Sequence, residues 1–425
     1  MLDAQTLRDH PDAVRAAIAS KRQGNPALVD RVLGVDRQRR EAITDLQTRQ
    51  QRQGELGKQI GPLMKAGKRD EAQGLLEETG RVKAEVKDLQ TAASELDDEF
   101  QTLLLQVPNL PHASVPEGAS PEDNEVAALW GEKPTFEFEP LPHWEIAERH
   151  GLIDFERGAK VAGAGFPFYI GQGARLQRAL VALFLDMAGE AGYTEIQPPL
   201  VVNEASGIGT GQLPDKEAQM YEAERDGLYL IPTGEVPVTN YHRDEIFSAD
   251  DLPKLYCTYT PCWRREAGSY GKDVRGLNRL HQFDKVELLK FTRPEDSYEH
   301  LESMREDAER AVQALGLPYR RLVLCTGDMG FTQAKTYDLE VWSAGQERWL
   351  EVSSVSNFEA FQARRAAIRF RPEEGAKPEP VHTLNGSGLA LPRIVAALLE
   401  HYQQEDGSVR LPDVLAERCG FETIS

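Results

Sequence analysis

The chain has 425 residues, of which 40% are hydrophobic and 28% are charged, and its formal net charge is −20 at pH 7. These values are typical of a globular protein long enough for two domains. No apolar run approaches the roughly 18 residues of a membrane helix, and the N-terminal segment lacks the apolar centre of a signal peptide. The four cysteines show no C-x-x-C spacing, so they predict reduced thiols. We therefore expect a cytoplasmic protein that binds neither a membrane nor DNA.

A heptad repeat distinguishes residues 27–104 from the rest of the chain. From Leu75 onward, apolar residues recur in alternating steps of four and three, which is the pattern of a two-helix coiled coil. A less regular track with similar spacing runs from Leu28 to Leu63, and Gly67 lies between the two tracks. The sequence therefore predicts a long antiparallel helical hairpin with its tip near Gly67.

The two legs of this hairpin differ in charge. Residues 21–69 contain twelve Lys or Arg and five Asp or Glu, whereas residues 70–100 contain three and ten. Phosphate binding responds to local charge, because salt screens charges beyond about 10 Å, so the first leg and the tip could bind RNA. The alternative is a solvated coiled coil whose legs neutralise each other. The candidate RNA contacts are Arg31, Arg37, Arg39, Arg40, Arg49, Arg52, Lys65, Lys68 and Arg69.

A proline-rich segment follows the hairpin and predicts an extended linker. Its prolines are Pro108, Pro111, Pro116 and Pro121. We therefore predict three parts, namely an N-terminal domain over residues 1–106, a linker over 107–124 and a second domain over 125–425.

The second domain mixes helical and strand patterns. Helical spacing covers residues 174–191, and several short runs have the composition of strands. Regular helices do not separate these runs, which argues against a doubly wound parallel sheet. We expect an α+β fold in which helices flank a mostly antiparallel sheet. The predicted strands are 255–262, 283–291, 321–325, 337–342 and 349–355.

Two of these strands enclose a glycine-containing loop and carry alternating polar side chains. Arg264 and Glu266 share one face of the first strand, and Phe283, Lys285 and Glu287 share one face of the second. A guanidinium, an aromatic ring and carboxylates on one surface would suit a nucleotide. The residues alone also allow a charged strand face with a structural role. The sequence contains no G-x-x-x-x-G-K-[ST] loop, so a P-loop nucleotide site is not expected.

The same segment resembles a known motif. "EAGSYG", followed by "RGL" and "HQFDKVEL", resembles motif 2 of class II aminoacyl-tRNA synthetases in the form found in seryl-tRNA synthetases. Residues 192–200 resemble motif 1, whose proline contributes to the dimer interface in that family, and residues 386–393 resemble motif 3. "IPTGEVP", "TGQLP", "KTYDLEVW" and "SNFEAFQARR" are further family-like runs. The resemblance covers almost the whole chain.

The resemblance implies a homodimeric class II serine–tRNA ligase. Such an enzyme uses ATP and Mg²⁺ to convert L-serine to seryl adenylate and transfers serine to tRNA(Ser), and by extension to tRNA(Sec). In this family the N-terminal coiled-coil arm binds tRNA. Two alternatives stay open, namely a non-catalytic paralogue that acts as an RNA-binding scaffold and an amino acid:carrier-protein ligase. The presence of Arg264, Glu266 and Arg393 argues against the first, and the long heptad arm argues against the second.

The resemblance also implies roles for individual residues. Arg264 would hold the α-phosphate of ATP and the carboxylate of serine, and Arg393 would pair with the γ-phosphate, which makes these two the implied catalytic residues. Glu266 would accept a hydrogen bond from the adenine amino group, and Phe283 would stack on adenine. The implied ATP-binding set is Arg264, Arg265, Glu266, Leu280, Phe283, Glu351, Val352, Ser353, Ser354 and Arg393. The implied serine-binding set is Thr233, Gly234, Glu235, Arg264, Glu287, Asn357 and Ser387. The implied Mg²⁺ ligands are Glu351 and Ser354.

Overall fold

The computed structural model describes residues 1–215, 218–266 and 275–425. The chain forms two compact units. The N-terminal unit comprises Leu2–Ala19 and Gln23–Pro108, and the second unit comprises Met1, Ser20–Arg22 and Asn109–Ser425. None of the described helices is long and apolar enough to cross a membrane.

The N-terminal unit is helical, and its main feature is the predicted hairpin. The turn between the two long helices contains Gly67, whose φ of +72° lies in the left-handed region that glycine adopts without strain. The heptad residues Val82, Ala93 and Phe100 are buried, as the apolar seam of a coiled coil requires. The structure therefore confirms the hairpin and the position of its tip. The helices are α1 (Ala4–Asp9), α2 (Pro11–Lys21), α3 (Leu28–Lys65) and α4 (Arg69–Leu104).

The second unit contains an eight-stranded sheet with helices packed against it. Its helices are α5 (His143–Arg149), α6 (Phe155–Ala162), α7 (Gln172–Glu190), α8 (Glu204–Thr210), α9 (Glu235–Asn240), α10 (Ser297–Ala314), α11 (Phe361–Ala366), α12 (Leu391–His401) and α13 (Asp413–Cys419). Its strands are β1 (Glu125–Trp130), β2 (Ile153–Asp154), β3 (Phe168–Tyr169), β4 (Thr194–Glu195), β5 (Val201–Asn203), β6 (Glu222–Ala223), β7 (Leu228–Leu230), β8 (Ile246–Ser248), β9 (Lys254–Trp263), β10 (Gln282–Thr292), β11 (Tyr319–Val323), β12 (Lys335–Ser343), β13 (Arg348–Glu359), β14 (Arg369–Arg371), β15 (Glu379–Pro380), β16 (His382–Ala390), β17 (Val409–Arg410) and β18 (Thr423–Ile424).

The order of strands in the large sheet is β1-β11-β12-β13-β16-β10-β9-β4. All neighbours are antiparallel except β4 and β9. The mostly antiparallel α+β fold is therefore confirmed, and each of the five predicted strands overlaps an observed one. The smaller sheets are β15-β14-β8, β5-β7-β6, β2-β3 and β17-β18.

One strand at the centre of the sheet was not predicted. β16 contains Gly386 and Gly388, and glycine is depleted in strands, so its composition does not indicate one. The structure explains the glycine at 386. A Cβ there would lie 3.1 Å from the side chains of Met304 and Val355, so the strand approaches its neighbours too closely for most side chains.

The alternation of side chains along β10 separates the core from the polar face of the sheet. Val286 and Leu288 belong to the main apolar core, which also contains residues of α7, α10 and α12. Lys285 and Glu287 point to the opposite face, where they line a cavity. The large sheet is therefore covered on one face by helices and carries polar side chains on the other.

Candidate active site

A cavity of about 410 Å³ lies over the polar face of the large sheet. Strands β10, β13 and β16, the first turn of α12 and the segment 277–280 supply most of its walls, so residues far apart in the sequence meet there. The lining includes Thr233, Glu235, Arg264, Glu266, Leu277, Asn278, Arg279, Leu280, Phe283, Lys285, Glu287, Glu351, Val352, Ser354, Asn385, Ser387 and Arg393.

One end of the cavity pairs a guanidinium with an aromatic ring. Arg264 follows the end of β9, and its Cζ lies 5.2 Å from the centre of the Phe283 ring. Its Nε donates to the carbonyl of Pro232 at 3.2 Å, which fixes the direction of the side chain. Glu266 accepts from Arg279 at 2.8 Å. This end therefore offers a positive group, a flat apolar surface and an oriented carboxylate, as a nucleotide requires.

The other end of the cavity contains a buried network around Glu287. Thr233 Oγ1 donates to Glu287 Oε2 at 2.7 Å, and Lys285 forms an ion pair with the same carboxylate. Lys285 Nζ also donates to Thr233 Oγ1 at 2.9 Å. Asn385 Nδ2 donates to Glu287 Oε1 at 2.8 Å, and Ser387 lies opposite Glu287 in the β10–β16 pairing. The network can hold a small polar group in one orientation.

Glu235 is a second buried carboxylate beside this network. Gln362 Nε2 donates to its Oε1 at 2.5 Å, and Asn385 Nδ2 lies 3.3 Å from its Oε2. Burial raises the pKa of Glu235 to about 7, and the nearby Glu287 adds to the rise, although the hydrogen bond from Gln362 opposes it. This end of the cavity thus contains two carboxylates, Glu235 and Glu287, and one lysine, Lys285. The excess of negative groups favours a ligand that brings a positive charge.

Arg393 lies in the first turn of α12 at the edge of the cavity. Its Nη1 donates to the carbonyl of Glu351 at 2.7 Å and lies 3.5 Å from the Glu351 carboxylate. Its Nε donates to the carbonyl of Asn278 at 3.2 Å. The guanidinium is therefore held between β13 and the segment that precedes β10.

A bulge in β13 brings Glu351 and Ser354 to the same cavity. Residues three apart on a regular strand face opposite sides, but the register shifts by one residue at Val352. Ser354 lies opposite Asp338, whose buried Oδ1 has no hydrogen-bond partner among the described residues. Burial and the nearby Glu351 raise the pKa of Asp338 well above its usual value.

This oxygen-rich edge fits a magnesium ion that arrives with phosphate. Mg²⁺ commonly uses one or two carboxylates together with phosphate oxygens, and Glu351 and Ser354 supply a carboxylate and a hydroxyl. Among the described residues no group of three or more His, Cys, Asp or Glu could hold a metal without further ligands. The carboxylate of Glu351 and the hydroxyl of Ser354 are a donor set that fits a metal whose other ligands come from phosphate oxygens.

Most of the predicted ATP-, serine- and metal-binding residues line this cavity. Among the residues that the structure describes, four of them do not. Arg265 is exposed, and its backbone N–H donates to Gln219. Ser353 is buried, and its hydroxyl donates to the carbonyl of Ser387 at 2.6 Å. Asn357 is buried and donates to Ser297 at 3.1 Å. The fourth is Gly234, where an added Cβ would lie 2.8 Å from Thr258 Cγ2. The roles implied for all the predicted site residues, these four included, stay predictions, and the tip of the predicted motif 2 loop lies outside the described residues.

The structure adds residues to which sequence reasoning assigned no role. Lys285, Asn385 and Gln362 contact the two pocket carboxylates, and Arg279 contacts Glu266. The first three lie in or directly beside family-like runs, so the sequence marked their neighbourhood. Their roles depend on burial and on the folded contacts around Glu287 and Glu235, which no local pattern reveals.

The basic residues of the hairpin are largely paired with acidic ones. Arg31 pairs with Glu99 at 3.1 Å, and Arg49 pairs with Glu85 at 3.2 Å. Arg39, Arg40, Arg52 and Lys68 also form ion pairs within the N-terminal unit. The legs thus neutralise each other in part, as the alternative interpretation expects. Within the described part of the chain, the candidates without an ion pair are Arg37, Lys65 and Arg69.

Comparison with protein families agrees with this geometry. Residues 219–402 match the model described as tRNA synthetase class II core domain (G, H, P, S and T). The fold and the cavity therefore define a class II aminoacyl-tRNA synthetase. Residues 1–111 match the model described as the seryl-tRNA synthetase N-terminal domain.

Full-length relatives narrow the class to one family. The serine–tRNA ligase of Salinibacter ruber is 64% identical over 100% of this chain and 99% of the relative. That of Geobacter sulfurreducens is 51% identical over 99% of both. The crystal structure of seryl-tRNA synthetase from Pyrococcus horikoshii complexed with ATP has a TM-score of 0.94 at 35% identity, covering 100% of this chain and 99% of that chain. The chain belongs to the seryl-tRNA synthetase family.

Proposed function

We propose that this protein activates L-serine with ATP to form seryl adenylate and then transfers serine to tRNA(Ser). The observation that carries the proposal is that Arg264 and Glu287 line one cavity, because an anion-binding group and an ammonium-binding group then face the same ligand. The family membership supports the same activity. Had these two side chains lain on opposite faces of the sheet, no such site could form.

The activation step brings together two anions, and the positive side chains offset their repulsion. The serine carboxylate attacks the α-phosphorus, the bond to the bridging oxygen breaks, and pyrophosphate leaves. The carboxylate is already ionised near pH 7, so the step needs no general base. Arg264 would hold both reactants, and Arg393 would hold the departing phosphates. Fixed positive groups aimed at the developing charge lower the barrier without rearranging during the reaction.

Glu351 and Ser354 are the proposed ligands of a Mg²⁺ ion that binds with ATP. When bound, such an ion neutralises charge on the phosphate oxygens. The protein's own contribution would be to orient that edge of the cavity, where Arg393 lies 3.5 Å from the Glu351 carboxylate.

Selection of serine would follow from the buried polar network. Thr233, Glu235 and Glu287 can pair with the ammonium and the hydroxyl of serine, and Asn385 and Lys285 orient the carboxylates. Alanine would leave a buried polar group unpaired, which costs on the order of 1–3 kcal/mol. We expect the pocket to reject alanine chiefly for this reason.

The tRNA would bind through the N-terminal domain, for which we propose residues 1–106, with the linker at 107–124 and the catalytic domain at 125–425. The seryl group would pass to the 3′-terminal hydroxyl of the tRNA. The resemblance to motif 1 supports a homodimer. Charging of tRNA(Sec) is proposed as an extension of the same activity. Sedimentation of the purified protein and charging assays with a tRNA(Sec) transcript would test these two points.

The decisive experiment is pyrophosphate exchange into ATP with a panel of amino acids. We expect exchange with serine and at least about tenfold weaker exchange with alanine and threonine. A protein without exchange for any amino acid would be an RNA-binding scaffold. A protein that exchanges with serine but does not charge tRNA(Ser) would fit a carrier-protein ligase.

Deletion of residues 30–100 would separate the two steps. Because the cavity belongs to the second unit, we expect the deleted protein to retain serine-dependent exchange and to lose tRNA charging. Efficient charging by the shortened protein would contradict the role of the arm.

A further inference from the structure

A buried histidine outside the cavity is connected to one of the cavity walls. His143 begins α5, and its side chain is fully buried. Its Nδ1 lies 2.8 Å from Glu400 Oε1, and its Nε2 lies 2.8 Å from the backbone N–H of Leu277. Leu277 lines the cavity, so the imidazole joins the end of α12 to a wall of the site.

The hydrogen bonds leave the imidazole one tautomer. The backbone N–H of Leu277 can only donate, so Nε2 must accept and carry no proton. Nδ1 therefore carries the proton and donates it to Glu400. Burial raises the pKa of Glu400, but hydrogen bonds from His143 and Ser343 outweigh it, so the pKa lies below its usual value. The carboxylate also accepts from the backbone N–H groups of His143 and Gly345, so acceptor oxygens face donors throughout.

The wall that His143 anchors reaches three groups proposed to bind ATP. The carbonyl of Asn278 accepts from Arg393 at 3.2 Å, and Arg279 pairs with Glu266 at 2.8 Å. Leu280 is the third, because its own side chain lines the cavity. The Asn278 amide also donates to Gln346 at 2.8 Å, and Gln346 donates to Glu400 at 3.2 Å, so the same carboxylate supports the wall by a second route.

We propose that His143, held by Glu400, is a positioning residue for the nucleotide half of the active site. It sets the place of Leu277–Leu280, and through that segment it orients Arg393 and Glu266 toward ATP. The serine half depends on other contacts, because Thr233, Lys285 and Asn385 are bound to Glu287 and not to this wall. This inference rests on the proposed function, since ATP is the ligand whose binding it concerns.

Two substitutions separate positioning from general stability. In His143→Asn the amide can still donate to Glu400 from the Nδ1 position but is too short to reach Leu277. In His143→Gln the amide oxygen can reach the Nε2 position and accept from Leu277, while the bond to Glu400 is lost. If His143 positions the ATP site, ATP binding should be weakened in His143→Asn and not in His143→Gln. If His143 only stabilises the fold, ATP binding should be weakened more in whichever of the two variants is less stable.

The experiment measures the KM for ATP and for serine by pyrophosphate exchange, with the urea midpoint of each variant and ATP binding by calorimetry. We expect His143→Asn to raise the KM and Kd for ATP about tenfold, as expected for one lost hydrogen bond, with the KM for serine within about twofold of wild type. His143→Gln should keep the KM for ATP within about twofold even though it unfolds at lower urea. His150→Asn is the matched control, because it removes a histidine bond to the carbonyl of Gly407 and should leave both KM values unchanged.

Gly276→Ala should disturb the contact between His143 and Leu277 from the side of the loop. An added Cβ would lie 2.3 Å from His143 Nε2, and the φ of Gly276 is +66°, so we expect the same selective rise in the KM for ATP. The inference is wrong if His143→Asn leaves the KM for ATP unchanged, or if it raises both KM values equally. Failure of the wild-type protein to exchange pyrophosphate would overturn the proposed function, and the calorimetric Kd for ATP would still decide the role of His143.

Discussion

The hairpin arm and the cavity over the large sheet use the same chemical groups in opposite surroundings. In the arm, the side chains of Arg31 and Glu99 are 65% and 45% exposed, whereas those of Lys285 and Glu287 in the cavity are 7% and 1% exposed. Exposed ion pairs contribute about 0–1 kcal/mol and each can be lost alone. A buried pair depends on every partner, because removal of one leaves a charge without solvent. The comparison predicts that equivalent substitutions have very different effects in the two regions.

The largest effect should follow removal of the guanidinium that would contact both reactants. We expect Arg264→Ala to reduce kcat/KM for serine-dependent pyrophosphate exchange by at least about a thousandfold, because charge developing on the phosphate loses its fixed partner. Arg265→Ala removes the adjacent guanidinium, which is exposed and outside the described cavity lining, and should cost less than about tenfold. Equal losses of kcat/KM in the two variants would contradict the prediction that Arg264, and not Arg265, contacts the reactants.

The next effect concerns stability. We expect Lys285→Met to lower the free energy of unfolding by about 3 kcal/mol, because Glu287 would remain buried without its cation. Urea denaturation followed by circular dichroism measures the change. Arg31→Ala in the arm, measured beside it, should change the free energy by less than about 1 kcal/mol. The double variant Lys285→Met with Glu287→Leu should recover part of the loss, and a further loss would argue against an uncompensated charge as the cause.

The pH dependence of serine binding should report on Glu235. Its pKa is raised to about 7, mainly by burial, so the carboxyl group gains a proton as the pH falls below 7 and no longer attracts the serine ammonium. We therefore expect the KM for serine to rise as the pH falls from 8 to 6, by up to about tenfold per unit below the pKa. The KM for ATP over the same range is the internal control. In Glu235→Gln this dependence should disappear, and a profile identical to wild type would exclude Glu235 as the titrating group.

The smallest effect should come from substitutions in the arm. They compare arginines that form ion pairs with arginines that do not. We expect Arg37→Ala and Arg69→Ala to weaken tRNA(Ser) binding, because these residues form no ion pair in the described structure. Each substitution should lower by about one the number of salt ions released on binding, which is read from the slope of log Kd against log salt concentration. Arg49→Ala removes a residue that pairs with Glu85 and should weaken binding less. None of these three substitutions should alter serine-dependent exchange. Filter binding across a range of salt concentrations provides the measurement.

Local periodicity accounts for the parts of the fold that could be predicted. The heptads around Val82 and Phe100 predicted the hairpin, and runs of strand-forming residues predicted β9 and β10. The strand that contains Gly386 was missed, because Gly386 serves close packing against Val355 rather than strand propensity. For the site, motif resemblance selected Arg264 and the carboxylates. It could not select Lys285 or Gln362 for a role, because the importance of Lys285 depends on the burial of its pair with Glu287, and Gln362 acts through Glu235 on another helix.

The sequence by itself determined the hairpin, five of the strands and the polar side chains that those strands offer, because these depend on residue type and on spacing along the chain. Only the tertiary structure decided which charges are paired and which are buried. Glu287 and Asn385 are 98 residues apart, and His143 and Glu400 are 257 apart, yet each pair is in hydrogen-bond contact. Desolvation and pairing arise from neighbours in space, so the division of the molecule into a solvated charged arm and a buried charged cavity appears only once the chain is folded.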